Sequence, residues 1–485
     1  MINSLENHPL YRIAAPRSIA FFGASNRFTS MGTNQLHSLI SLGFKGPIYP
    51  IHPKEPQVLG LKAFKEVDLL PESPDLAVMV LPTALVLETV EKCGRQGIRQ
   101  AIIVSGGFKE VGQEGRILEE QLKTIARTYG IRFLGPNCLG VTNPHHQLNT
   151  TFLPYTAAPG FIGFASQSGS FLTQLFDYLG VLGLGFSTAL SVGNEADIDL
   201  VDCLEYLALS PQTKVIGLYI EGLRRGRAFI ERARTIVPHK PIVAYYVGGS
   251  EAGKRAGLSH TGALAGPDRL YDGVFQQSGI IRANSMTELF DFCWVLGTCP
   301  PSRGKRLAIQ THSGGPGATA ADACGREGLV LTDFSPATLD RLAPFVPHTG
   351  SLNNPVDITF SKNPLDFFQE IPRTLLEDPQ TNGLLIYLML PEEHLRRSLL
   401  HQGIPEDQLE DTLDQVIKMT AQSIISLPKN PQKPVIGFTY RSQIDRLIQL
   451  LQHKGFPVLP SPERAARAMA ALVRYQRIKE VRAQS

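Results

Sequence analysis

The chain has 485 residues, 43% hydrophobic and 19% charged, with a formal net charge of +3. This is the balance of an ordinary soluble globular protein; it argues against a nucleic-acid binder, and no apolar run approaches the roughly 18–20 residues of a membrane span. Domains of roughly 100–200 residues make three the expected number. The opening MINSLENHPLYRIAAPRS lacks the charged-then-apolar layout of a signal peptide, so a cytoplasmic location is expected. The six cysteines show no CxxC or Cys/His ligand spacing, which reads as buried free thiols, with no metal site expected.

In chain order, Val/Ile/Leu-rich runs alternate with amphipathic stretches: SIAFFGA, PDLAVMVLP, QAIIVSGGF and IRFLGPN each end in a polar or glycine-bearing turn. This is the βαβ rhythm of a parallel sheet, so the fold class is α/β. The first domain, 1–145, is expected to end in the turn-forming LGVTNPHHQ. A second, 146–298, runs from FIGFASQSG through VIGLYIEGL and KPIVAYYVGG. After Pro300-Pro301 and SRGK, a third, 303–485, contains RLAIQTHSGG, NGLLIYLML and KPVIGFTY and closes on a basic helix. The charged stretch from EEHLRRSLL to KMTAQS reads as solvated helices.

In the first domain, SIAFFG leads into Gly23-Ala24-Ser25, a degenerate glycine turn of the nucleotide-binding type. A dinucleotide enzyme needs an acidic residue at the end of the next strand, for the ribose 2′-OH. Here GPIYPIHPK ends in Pro53-Lys54, which favours a phosphorylated adenosine, as in NADP or coenzyme A. Ser105-Gly106-Gly107 and the Asn137 turn GPNC follow later strands, at the sheet edge where open α/β folds bind ligands; the bland alternative is tight turns alone.

The second and third domains carry a weak internal repeat. Ser168-Gly169-Ser170 and Ser313-Gly314-Gly315 each follow a domain's first strand, and NEADI (194–198) is echoed by NPVDI (354–358). Each SG turn stands where a strand hands over to a helix, offering hydroxyls, backbone N–H groups and the positive end of a helix dipole to an anion. An ordinary helix cap is the competing reading. GGSEAGKR (248–255) has glycine and lysine spacing close to a P-loop, but Arg255 stands where Ser or Thr should hold magnesium, so nucleotide binding there is rejected. It leads into SHTGALAG (259–266), which sets His260 among small residues in what reads as a mobile loop, the setting of a histidine that must move or be reached.

FFGAS, GFKGPIYPIHPK, SGGFKEVGQEG, GPNCLG, SQSGS, SVGNEADID, TKVIGLYIEG and SHTGALAG, with SGGPG and NPVD less tightly, run in order along nearly the whole chain. Together they resemble the α subunit of the ADP-forming acyl-CoA (acetyl-CoA) synthetases, relatives of succinyl-CoA synthetase. The resemblance implies a Rossmann-like CoA-binding domain followed by two flavodoxin-like ligase domains. It implies that His260 is phosphorylated between acyl phosphate and nucleotide, and that Glu221, in YIEG, hydrogen-bonds it and fixes its tautomer. Coenzyme A is the implied ligand of Gly23, Ala24, Ser25, Lys54, Ser105, Gly106, Gly107 and Asn137. Ser168, Gly169, Ser170, Ser313, Gly314 and Gly315 are expected to hold the phosphate and acyl groups. No ATP-grasp domain is recognisable, so ATP or ADP and Mg2+ are expected on a partner β subunit, in a hetero-oligomer. Departures from the family pattern are VAYYVGGS before the histidine loop, His52 where Asn is usual, and His312 inside the second SG turn, either an added proton donor or a structural imidazole.

Two readings from other classes compete: a non-catalytic CoA or acyl-CoA sensor of the same fold, and an NADP oxidoreductase, which explains the first domain alone. CoA against NADPH binding separates the latter.

Overall fold

The computed structural model describes residues 4–253, 266–359, 364–427 and 432–483. They form two compact units, one of residues 1–180 and 185–289, the other of residues 181–184 and 290–485.

The first unit holds two sheets. β1 (Ile19–Phe22), β2 (Ile48–Ile51), β5 (Leu76–Met79), β6 (Gln100–Ile103) and β7 (Arg132–Leu134) form a parallel sheet in the order β2-β1-β5-β6-β7; β3 (Gln57–Val58) and β4 (Leu61–Lys62) make a small hairpin beside it. The second sheet has the order β14-β13-β12-β10-β11-β8-β9. Its parallel part is β10 (Ile162–Ser166), β11 (Phe186–Ser191), β12 (Val215–Ile220), β13 (Ile242–Tyr246) and β14 (Ile281–Ala283); β8 (Val141–Asn143) and β9 (Leu148–Asn149) extend it antiparallel. LGVTNPHHQ, expected as turn, therefore begins in a strand of the second sheet. Thr142 Oγ1 donates to Asn149 Oδ1 at 3.0 Å, which satisfies two polar side chains buried on that edge.

The second unit holds β15 (Arg306–Thr311), β16 (Val330–Leu331), β17 (Val356–Asp357), β18 (Gly383–Tyr387), β19 (Val435–Phe438) and β20 (Val458–Leu459), in the order β16-β15-β18-β19-β20 with β17 also on β15, all parallel. The charged stretch forms the helices Glu392–His401 and Leu409–Ser426, whose Leu399, Leu413, Ile417 and Ile424 are nevertheless buried in this unit's core.

Counted within each sheet, and leaving out the two-residue β17, the parallel strands run 2-1-3-4-5 three times, the doubly wound order in which ligands sit at the carboxyl ends beside strands 1 and 3. β10, β11 and β12 are buried at every residue, which is why their sequences (IGFAS, FSTALS, VIGLYI) carry only apolar residues and small hydroxyls and do not alternate apolar with charged. Among the described residues no helix is long and apolar enough to cross a membrane. The six cysteines are free and five are buried, and burial pushes the Cys93, Cys138, Cys299 and Cys324 thiols up to about 12.

Candidate functional site

The first sheet ends in turns packed backbone against backbone. Gly23 has φ +91°, and a Cβ there would lie 1.9 Å from the Val80 carbonyl oxygen, so no other residue fits this turn. Ala24 is buried, and the Ser25 N–H donates to Thr33 Oγ1 at 3.0 Å, holding the turn on the helix Met31–Ser41, which Ser30 caps. Lys54 is exposed. Beside it, His52 Nδ1 accepts the N–H groups of Lys54 and Glu55 at 3.2 and 2.8 Å, so the departure at 52 is a brace for the turn that presents the lysine. Ser105 Oγ donates to Leu81 O at 2.6 Å and accepts from Leu81 N at 3.0 Å; its hydroxyl is committed to joining two strand ends. Asn137, at φ +58°, donates its N–H to Ser105 O at 2.9 Å.

From these turns a polar network runs into the second sheet. Glu110 Oε1 accepts from the N–H groups of Gly107 and Phe108 at 2.5 and 3.2 Å, while Oε2 accepts from Asn194 Nδ2 at 2.6 Å. Burial opposes its charge, but the bonds from Asn194 and the backbone outweigh this and hold the carboxyl below its usual range. Asn194 Nδ2 also reaches Glu119, Asn194 Oδ1 accepts from Asn137 Nδ2, and the ammonium of Lys109 donates to Asn194 O. Burial, then the neighbouring Arg224, lowers the Lys109 pKa. The loops GPN (135–137) and VGN (192–194) are pinned to each other: the N–H groups of Asn194 and Ala196 donate to Pro136 O and Gly135 O, and a Cβ on Gly193 would lie 2.4 Å from Pro136 O. Asp197 of the same motif accepts from Arg132 Nε and the Phe133 N–H at 2.8 and 2.9 Å.

After β10, Ser166 Oγ donates to Ser168 O at 2.6 Å and accepts from Ser168 N at 3.1 Å. This bracket sets the start of the helix Gly169–Val181; Ser168 Oγ lies 3.4 Å from Ser170 Oγ, and Ser170 is exposed. A Cβ on Gly169 would meet Leu139 Cγ at 2.7 Å, so glycine is needed where GPNCLG packs on the SG turn. Glu221 follows β12, and its N–H donates to Gln167 Oε1 at 2.5 Å. Arg225 donates to both oxygens of Asp199 and also to Asp202, and Arg224 donates to Glu195 O.

After β15 the bracket recurs: Thr311 Oγ1 donates to Ser313 O at 2.9 Å and accepts from Ser313 N at 3.2 Å. The helix Gly314–Arg326 follows, with Gly314 and Gly315 exposed and nothing within 4 Å of a Cβ built on Gly315. Pro316 has no N–H, so Gly314 and Gly315 are the donors of this helix start. His312 stacks on Phe367 with ring centres 3.6 Å apart, and burial lowers its pKa to about 4, so at neutral pH it is an uncharged, packed imidazole. The motif echo does not share this equivalence. Asn194 follows β11, whereas Asn354 precedes β17 and braces the strand β15, accepting from the Ile309 N–H and donating to Leu307 O.

His260, with all of residues 254–265, lies outside the described residues. Gly23, Ser105, Gly106, Gly107, Asn137, Ser168, Gly169, Ser170 and Glu221 belong to the first unit, and Ser313, Gly314 and Gly315 to the second. Sequence reasoning gave no role to Lys109, Glu110, Gln167 and Glu195, which stand inside motifs it had marked, nor to Glu119, which stands outside them; a Glu in each of SGGFKE and GNEAD was the available signal.

The comparisons agree with this architecture. Residues 17–144 match a CoA binding domain, 159–296 a succinyl-CoA ligase like flavodoxin domain, and 307–390 a ligase-CoA domain. The chain is 36% identical over 459 residues to the α subunit of an ADP-forming acetate–CoA ligase II of Pyrococcus furiosus, covering 94% of this chain and 96% of the relative. It is 35% identical to ADP-forming acetate–CoA ligase I of Archaeoglobus fulgidus, where 96% of this chain matches 64% of a longer protein. A solved acetyl-coenzyme A synthetase 1 of Candidatus Korarchaeum cryptofilum, in complex with phosphate and ADP, superposes with a TM-score of 0.85 at 34% identity, covering 98% of both chains. Matched over nearly its whole length by these relatives, the chain belongs to the family of ADP-forming acyl-CoA ligases and corresponds to their α subunit.

Proposed function

We propose that the chain catalyses, with a partner subunit, the reversible reaction of a small carboxylate, CoA and ATP to acyl-CoA, ADP and phosphate. Three domains divide the work, near 1–145, 146–298 and 303–485. CoA lies along the carboxyl edge of the first sheet, where Gly23, Ala24, Ser25, Gly106, Gly107 and Asn137 bring backbone to the ligand and Lys54 meets its phosphates. In the direction of ATP synthesis, a phosphate oxygen attacks the thioester carbonyl, the C–S bond breaks and CoA leaves as thiolate. The imidazole of His260 then attacks phosphorus, the acyl–oxygen–phosphorus link breaks on the phosphorus side, and the carboxylate departs. The phosphoryl group finally passes from the histidine to ADP. Glu221 orients the imidazole, and the helix starts at Ser168-Gly169-Ser170 and Ser313-Gly314-Gly315 carry the charge that develops on the transferring group.

The observation that carries this reading is the same strand–hydroxyl bracket–SG–helix unit built twice, after β10 and after β15. Two preorganised anion seats suit a phosphoryl group that is received and handed on. The partner is an ATP-grasp β subunit that holds the nucleotide and Mg2+; the longer single-chain relatives and the α-subunit relative support it.

Incubation of the full chain with labelled acetyl phosphate tests the reading. The protein takes up an acid-labile, alkali-stable phosphate, and His260→Ala abolishes it; no label on the intact chain overturns the proposal. Acyl-CoA formation by the purified chain alone would overturn the need for a partner.

A further inference from the structure

Gln167 has every hydrogen-bonding capacity of its side chain in use. Oε1 accepts from the N–H groups of Glu221 and Gly222 at 2.5 and 3.0 Å, and Nε2 donates to Gly222 O and to Glu195 Oε2, both at 2.8 Å. The orientation of the amide is therefore fixed, because turning it over would set its oxygen against two acceptors and its NH2 against two donors. Its backbone is held as well: Gln167 N–H donates to Tyr219 O. The residue just before the Ser168 turn is thus tied along its length to the end of β12, where Glu221 stands.

Glu195 closes the arrangement from a third element. It is 5% exposed and held at φ +52°, a left-handed backbone uncommon outside glycine. Its Oε2 accepts from Gln167 and its Oε1 from the Leu200 N–H at 2.9 Å. Both partners are donors, so only a carboxylate satisfies both; a glutamine at 195 must turn its NH2 toward one of them. Burial pushes this carboxyl up to about 7, with Asp199 adding to the rise, against the bonds from Gln167 and Leu200 and the charge of Arg224. Lys109, Cys203 and Tyr271 are the other titratable groups that feel its charge. The second bracketed turn is built without such a clamp, since His312 stands where Gln167 would be. Forming a strand–SG–helix unit does not require it.

We propose that Gln167 and Glu195 are positioning residues, a clamp that fixes the Glu221 strand end against the Ser168 turn so that carboxylate and anion seat keep one geometry during phosphoryl transfer. The proposal rests on the phosphohistidine reading above. Glu195 works as the ionised form, so the transfer slows as pH falls through about 7.

The test measures the rate of phosphoryl labelling of the full chain by acetyl phosphate between about pH 5.5 and 8.5, with CoA affinity as the check on folding. Gln167→Met keeps length and removes the clamp; it slows labelling about tenfold or more while CoA affinity stays within about twofold. Glu195→Gln keeps shape, slows labelling several-fold at about pH 8, and makes the acid limb of the profile shallower by about one proton; groups titrating elsewhere remain in both proteins. If Gln167→Met loses CoA binding, the acid limb of Glu195→Gln decides alone. Wild-type label with both variants inside about twofold and an unchanged acid limb overturns the clamp and leaves the phosphohistidine reading standing. No label on the wild type overturns that reading and the clamp's role with it.

Discussion

The turns at 166–170 and 311–315 share a hydroxyl bracket and differ in what surrounds it. In each, a hydroxyl on the last strand residue brackets the serine two places on, and a helix starts at the following glycine. In the first, the residue between is Gln167, bonded four ways to two other elements; in the second it is His312, stacked on Phe367 with no partner for Nε2 among the described residues. The helix-start glycines differ too: a Cβ on Gly169 would be wedged against Leu139 Cγ at 2.7 Å, whereas one on Gly314 would make only an ordinary contact, 3.6 Å from Asp357 Oδ2, and one on Gly315, the next residue, would face open space. The difference teaches that the bracket alone makes the helix start. What surrounds it decides whether the seat is rigid or merely accessible.

The largest effect expected from breaking this contrast is at Gly169. Gly169→Ala puts a methyl 2.7 Å from Leu139 Cγ, and Leu139 is itself held by its N–H bond to Ser191 Oγ at 3.0 Å. Overpacking of this kind costs about 2–3 kcal/mol. Urea unfolding of the full chain should show that loss, with labelling by acetyl phosphate reduced as the helix start shifts. An unchanged midpoint would mean that the two turns are interchangeable after all.

His312 gives a smaller effect and a definite sign. Its folded pKa is lowered, from 6.5 to about 4, because burial disfavours the imidazolium. The unfolded chain therefore binds the extra proton between these values, and stability is retained above about 6.5 and lost as pH falls toward 4. His312→Phe keeps an aromatic ring on Phe367 and removes the titration. At pH 5 the variant should gain about 1–2 kcal/mol relative to its own difference from wild type at pH 8. Parallel unfolding at the two pH values measures it, and an equal difference at both would show that the imidazole reaches solvent freely.

The three parallel sheets were legible because their central strands are buried on both faces and so read as apolar runs ending in glycine turns. β8 was not: VTN is short and mostly polar, and it forms a strand where β11 and β9 pair with it on either side. At the site, the positions of Ser168, Ser313 and Glu221 follow from strand ends, a local pattern. Glu110, Asn194, Gln167 and Glu195 depend on contacts across 28 to 84 residues of sequence, and no spacing rule connects them. His52 and His312 stood out as departures, yet one braces a turn and the other packs on a ring. A histidine's chemistry is set by its neighbours, and those are tertiary.

Gly315 supplies the smallest effect and the finest distinction. A Cβ there meets nothing within 4 Å, and the position lies in the first turn of a helix. Alanine narrows the unfolded ensemble without strain in the folded one, so Gly315→Ala should stabilise the protein by about 0.5 kcal/mol. If glycine is there only because a helix must start, nothing else changes. If an anion approaches the N–H groups of Gly314 and Gly315, the added methyl crowds it, and overall acyl-CoA formation with the partner subunit falls by about two- to fivefold while stability rises. Opposite movement of stability and rate at Gly315, set against loss of both at Gly169, is the outcome expected of one seat kept open and one held by its packing.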